Sequence, residues 1–229
     1  KSPNIIFADA PDMDWAIERS FVAMFYGKGE KCSEPTRLLI QKPVYEKVLA
    51  GMAERYKTWK VGDPFDPTSN QGAQVSKEHF ESIMRYIEIG KAEGGRLVCG
   101  GDRNVEGSNA DGYFINPTIF ADCNNQMRIA REEIFGPVLT VIPFETEEEA
   151  IRIANDSPYG LAAGFWTNDV ARTQRMSKAL QAGQIFINKY GCYEHTSPFG
   201  GYKQSGWGME CGNLSLDLYT KRKSIWYAY

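Results

Sequence analysis

Five cysteines, two histidines and a few carboxylates set beside glycines are the residues with which this 229-residue chain could do chemistry. Cys32 is the best placed of them. It lies in Gly27-Lys28-Gly29-Glu30-Lys31-Cys32-Ser33, between a predicted amphipathic helix and a predicted buried strand. The two glycines let backbone approach a ligand closely. Lys28 and Lys31 supply positive charge that favours a thiolate, the reactive form of a cysteine. A nucleophile on a loop held by rigid elements fits this pattern, and so does an inert small apolar side chain. Cys99, Cys123, Cys192 and Cys211 have no comparable setting and read as ordinary unreactive thiols.

A second segment is Glu132-Glu133-Ile134-Phe135-Gly136-Pro137. An ionised carboxylate offers several acceptor sites and can receive two neighbouring sugar hydroxyls. The competing reading is a solvated acidic pair at a helix end. The third is Ser197 to Gly208, with four glycines in its last nine residues and Tyr190, Tyr193, Phe199 and Trp207 in and around it. It suits an aromatic-walled pocket or a packed loop whose glycines make turns. It lacks the Gly-Lys-Ser/Thr ending of a phosphate-binding loop.

These residues need a frame. Leu38-Leu39-Ile40, Val138 to Ile142 and Ile185-Phe186-Ile187 are nearly continuous apolar runs, as expected of strands covered on both faces. Asn4–Phe7 and Ala162–Trp166 are weaker strand candidates. Phe80, Ile83, Met84 and Ile87 form an amphipathic helical stripe, and Val44, Val48, Leu49 and Met52 form another behind Pro43. Thr146-Glu147-Glu148-Glu149 reads as a capping box for a helix ending near Asn155. Asn168-Asp169 can cap a helix reaching Leu180, and a further helix spans roughly Met13 to Phe25. Residues 63–72 and 100–112 read as long surface loops. The alternation predicts an α/β fold: a twisted, mostly parallel sheet flanked by helices.

Composition excludes several functions. With 42% hydrophobic and 24% charged residues the chain is globular. A net charge of −3 gives no basic surplus for nucleic acid or an anionic membrane. No apolar run approaches the ~18 residues of a membrane span. The cysteines are odd in number and never in Cys-x-x-Cys spacing, and His79 and His195 are the only histidines. Reduced thiols, no metal site and a cytoplasmic location are therefore expected. The chain opens on Lys1-Ser2-Pro3-Asn4 and runs directly into a strand, so it reads as a piece of a longer protein.

In chain order, Lys1-Ser2-Pro3-Asn4, the Gly-Glu-x-Cys stretch ending at Cys32, Gly62-Asp63-Pro64, Gly112-Tyr113-Phe114-Ile115, Glu132 to Pro137, Tyr159-Gly160-Leu161-Ala162-Ala163, Ser197 to Gly201 and Tyr219 to Ser224 make a specific series. The chain resembles the C-terminal half of an NAD(P)-dependent aldehyde dehydrogenase, over essentially its whole length. The resemblance implies a catalytic, thiol-bearing domain over 1–212 and an oligomerisation strand over 213–229, with the cofactor domain absent from this chain. It implies that Cys32 attacks the aldehyde, with its backbone N–H as an oxyanion donor, and that Glu210 is a second, proton-relaying glutamate. Glu133, Phe135 and His79 would contact NAD or NADP, and Tyr193 and Phe199 would line the substrate tunnel. The implied parent is a homodimer or homotetramer whose general base lies upstream of Lys1. Glu34-Pro35 departs from the small residue and glycine usual after the nucleophile, and Met209 from the usual arginine.

Two other readings stay open on the residues alone. Cys32 with His195 has a spacing loosely compatible with a cysteine hydrolase. Alternatively, Glu34-Pro35 marks a domain kept for structure after catalysis was lost.

Overall fold

A computed structural model describes residues 1–229. Nine strands and seven α-helices follow in chain order: β1 Pro3–Ile6, α1 Met13–Phe25, β2 Arg37–Gln41, α2 Tyr45–Lys57, α3 Lys77–Ala92, β3 Arg96–Cys99, β4 Thr118–Ala121, α4 Arg128–Arg131, β5 Val138–Phe144, α5 Glu147–Asn155, β6 Tyr159–Gly160, β7 Ala162–Trp166, α6 Val170–Ala179, β8 Gln184–Ile187, β9 Tyr202–Lys203 and α7 Leu216–Tyr219. The main sheet has the order β3-β4-β5-β2-β1-β7-β8. All of its pairings are parallel except the antiparallel β3–β4 edge. The expected α/β architecture is the one observed.

The apolar runs of β2 and β5 are covered on both faces, and that of β8 is half-buried at the sheet edge. Leu38 and Ile40 turn toward Ala16, Phe21 and Met24 of α1 and Val48 and Met52 of α2. Leu39 and Ile5 turn the other way, into the core built with Ile83 and Ile87 of α3, Ala150 of α5 and Met176 of α6. Period-two alternation thus feeds two cores from one sheet. Asp12, Ser76, Thr146 and Asp169 cap α1, α3, α5 and α6 with side-chain oxygens. In the predicted capping box Thr146 accepts from the Glu149 N–H. The Glu149 carboxylate reaches one residue further back than the motif requires, to the Glu145 N–H.

The carboxyl ends of five adjacent strands are tied in a row. The Gln41 side chain donates to Glu145 O at 3.2 Å and accepts from the Ala8 N–H at 2.8 Å. Thr167 Oγ donates to Asp9, and Asn188 pairs both ways with the Thr167 backbone. At the amino ends, Arg37 is enclosed, only 1% exposed. It donates to Lys1 O, Asn125 Oδ1, Ile153 O and Ala154 O at 2.8–3.1 Å, joining the start of β1 to the last turn of α5.

The C-terminal expectation needs correcting. Residues 213–219 are not strand but helical turns, a 3-10 turn at Asn213–Ser215 followed by α7. Residues 221–229 have no ladder partner within the chain, and Ile225, Trp226, Tyr227 and Tyr229 stand in solvent. A strand exists only where its N–H and C=O groups find a second one.

Candidate active site

The loop from Tyr26 to Thr36 carries Cys32 from the end of α1 to the amino end of β2. Gly29 sets its path: it holds φ +72, and a Cβ there would fall 2.0 Å from Gly136 O. The Cys32 loop therefore lies directly on the Gly136-Pro137 backbone, bringing two of the three sequence segments together. The third joins through hydroxyls. Tyr190 donates to Ser33 O at 3.0 Å and Tyr193 to Ser33 Oγ at 2.7 Å.

Cys32 is exposed and stands where two cavities meet. The smaller, about 170 Å³, has Lys1, Glu133 and Gln204 among its walls. The larger, an open groove of about 990 Å³, has Phe135, Phe186, Tyr193, His195 and Phe199. Phe186, Tyr193 and Phe199 form an edge-to-face row with centroids 5.6 Å apart. The Cys32 N–H makes no hydrogen bond within the chain.

The acidic pair is divided in its duties. Glu132 is held by Arg128 at 2.8 and 3.0 Å and by the Tyr86 hydroxyl at 2.7 Å, which keep its carboxyl below its ordinary range. Glu133 has no ion pair or hydrogen bond and faces the smaller cavity with Lys1. Lys1, whose Nζ donates to Ile129 O at 2.7 Å, is lowered to about 7 by burial and by Arg37, against the opposing pull of Glu133. Phe135 holds φ +58 with its ring part-exposed.

Several expectations change in detail. The Lys28 and Lys31 charges do not stand free beside the thiol: Lys28 pairs with Glu30 at 3.0 Å and Lys31 with Glu34 at 3.4 Å. His79 sits behind the site. Its Nε2–H donates to Phe135 O at 2.7 Å, so it braces the left-handed Phe135 and lines neither cavity. Glu210 is not brought to Cys32. Its backbone pairs with Phe199 in a two-way bridge at 2.7 Å while its side chain faces solvent outside both cavities. His195 shares the groove with Cys32 without bonding to it. Sequence reasoning missed Arg37 and Lys1. The one available signal was a cation at the head of the apolar run Arg37-Leu38-Leu39-Ile40.

Fold and site together define an α/β domain in which Cys32 is the one thiol shared by a pocket walled in part by the Glu133 carboxylate and an aromatic groove, at the amino end of β2. The chain belongs to the aldehyde dehydrogenase family, whose sequence profile matches residues 1–225. It is 46% identical over 226 residues to human mitochondrial aldehyde dehydrogenase, covering 98% of this chain and 43% of that protein. An Aspergillus niger aldehyde dehydrogenase is 45% identical over 227 residues, with 99% and 45% covered. Among solved structures, the aldehyde dehydrogenase KauB from Pseudomonas aeruginosa superposes with a TM-score of 0.94 at 46% identity, over 99% of this chain and 45% of that one. Indole-3-acetaldehyde dehydrogenase complexed with NAD+ gives 0.94 at 43% identity, over 100% and 46%. The chain spans a little under half the length of the curated relatives it matches.

Proposed function

We propose that the protein containing this chain oxidises an aldehyde to a carboxylic acid with NAD or NADP, and that residues 1–212 are its thiol-bearing catalytic domain. The observation that carries the proposal is the exposed Cys32 between the Glu133 cavity and the aromatic groove, in a chain of this family. Cys32 Sγ attacks the carbonyl carbon and forms a thiohemiacetal. The unengaged Cys32 N–H is the backbone donor available to the oxygen that gains charge. Tyr193 and Phe199 present ring surface to the substrate's carbon chain. Loss of hydride from the thiohemiacetal carbon, for which bound NAD(P) would be the acceptor, would leave a thioester, from which water releases the acid and returns the thiol.

The nicotinamide end of the cofactor fits the residues present. Glu133 is the partner-free carboxylate in a cavity shared with Cys32, and Phe135 offers a ring in the adjoining groove. Glu133 would hold sugar hydroxyls, Phe135 would pack near the nicotinamide, and His79 supports it from behind. When bound, NAD(P) supplies the hydride acceptor. Glu210 stays outside this scheme. In the full-length protein, Glu133→Gln is expected to raise the cofactor KM roughly ten- to a hundredfold, the loss of one charged hydrogen-bonding group, and to leave Cys32 alkylation unchanged. An unchanged KM removes Glu133 from the cofactor site.

A reducing compartment such as the cytoplasm suits the five free thiols; the mammalian relatives carry a mitochondrial name, and no helix here is long and apolar enough to cross a membrane. The parent assembles as a homodimer or homotetramer in this reading, with residues 213–229 as the arm. Its support is the exposed, unpaired run through Ile225, Trp226 and Tyr227, which gains ladder partners and burial on a neighbouring sheet. Deleting residues 223–229 should shift the parent toward monomer in sedimentation velocity. Retention of the full oligomeric mass assigns assembly elsewhere.

A further inference from the structure

Glu34 departs from the small residue usual in the family, and the structure encloses it. Its side chain is 1% exposed, whereas that of Lys31 is 55% exposed. The turn that carries the thiol is closed in both directions between these two residues. The Glu34 N–H donates to Lys31 O at 3.1 Å, and the Lys31 N–H donates to Glu34 Oε2 at 3.4 Å. Cys32 and Ser33 are the two residues held between them. Glu34 Oε1 faces Lys31 Nζ at 3.4 Å but accepts no hydrogen bond. Gly27 provides the room: a Cβ there would lie 2.2 Å from Glu34 Oε1 and 2.3 Å from Lys31 Cε.

We infer that Glu34 is a positioning residue for Cys32: its carboxylate clamps the Lys31–Glu34 turn and neutralises the Lys31 ammonium beside the thiol, and protonation releases both. The inference rests on Cys32 being the nucleophile. Burial raises the Glu34 carboxyl to about 7, opposed by the Lys31 ammonium and N–H and assisted by the Glu30 carboxylate. The clamp is therefore closed above that pH and opens below it.

The other groups around Glu34 leave Lys31 as its counter-ion. On the same loop, Glu30 is held by Lys28. On the α1 side, Arg19 and Tyr26 share a hollow of about 180 Å³ with Glu34, and the Arg19 guanidinium lies over the Trp15 ring, 5.3 Å from its centroid. From the loop after β8, the Tyr190 and Tyr193 hydroxyls are engaged by Ser33.

The test is steady-state kinetics of the full-length protein against pH. Glu34→Ala removes clamp and charge, and is expected to lower kcat about ten- to a hundredfold at pH 8, as a displaced reacting group does, with the cofactor KM within about twofold. Glu34→Gln keeps an oxygen for the Lys31 N–H. It is expected to lose less, and its kcat profile is expected to lack the wild-type inflection near 7. If Glu34→Ala does not fold, Gly27→Ala displaces the same carboxylate and should lower kcat in the same way. A Glu34→Ala kcat within about twofold of wild type, or an inflection that survives in Glu34→Gln, overturns the inference. Limiting iodoacetamide on the wild type separates this failure from that of the proposed function. If Cys32 is not the thiol labelled first, the nucleophile reading falls. If it is, and the variants are unaltered, the Glu34 assignment alone falls.

Discussion

Cys32→Ser in the full-length protein should reduce aldehyde oxidation by about 10⁴-fold or more, the scale seen when a nucleophile is removed from a concerted site. The thiolate has no equal in a serine hydroxyl without an adjacent base, and no histidine bonds to residue 32 in this site. The companion measurement is peptide mapping after limiting iodoacetamide. Cys99 and Cys123 should remain unlabelled, because burial pushes both thiols up to about 12. The contest is among the three thiols that line the large groove, Cys32, Cys192 and Cys211. Labelling concentrated on Cys192 or Cys211 would sink the assignment of Cys32.

Arg37→Met carries the largest expected effect on stability. The substitution relieves a buried charge, which the surroundings already hold down at about 10, but it orphans acceptors at Lys1, Asn125 and Ala154 and leaves Ile153 O with the Asn125 amide alone. Each buried acceptor left alone costs about 1–3 kcal/mol, and removing one member of a buried polar set about 3–5 kcal/mol. We expect a loss of about 3–5 kcal/mol in denaturant unfolding and a Tm lower by roughly 6–20 °C. Arg37→Lys should recover only part, since one ammonium cannot serve acceptors on three sides. A loss below about 1 kcal/mol would mean that water replaces the guanidinium.

The strands that read clearly from sequence were β2 and β5, buried on both faces, and the half-buried edge strand β8, whose apolar run Ile185-Phe186-Ile187 is likewise uninterrupted. β3 and β4 did not read. β3 is a four-residue edge strand: Arg96 at its head faces solvent and pairs with Asp122 and Glu46, and its run Leu97-Val98-Cys99 lies between Arg96 and the Gly100-Gly101 turn and is only part-buried. β4 is four residues immediately after Pro117. The helices with clean stripes, α2 and α3, were legible, and the four-residue α4 was too short to show a period. At the site, Cys32 stood out by its setting, whereas Glu133, Phe135, Tyr193 and Phe199 were singled out by the family resemblance; all five line the two cavities. What stayed hidden depended on contacts across the chain. The cancellation of Lys31 by Glu34 needs the turn to be formed. The Arg37 bonds reach residues as far as 117 positions away. The tie between His79 and Phe135 spans 56.

Open parallel sheets ordinarily take ligands at the carboxyl ends of their strands, and fold analogy alone would have sent a search for the pocket there. In this chain that rim is tied by Gln41, Asp9, Thr167 and Asn188, and Cys32 and Glu133 stand at the opposite rim. The two rims can therefore change independently. The connections leaving β1, β2, β5 and β7 at Ala10-Pro11, Lys42-Pro43, Glu145 and Asn168 are where the polypeptide could be lengthened, fused to a reporter or tethered to a surface without disturbing the thiol. Variation around the thiol has to come from the segments that enter β1, β2, β5 and β7 and from the long loop that follows β8.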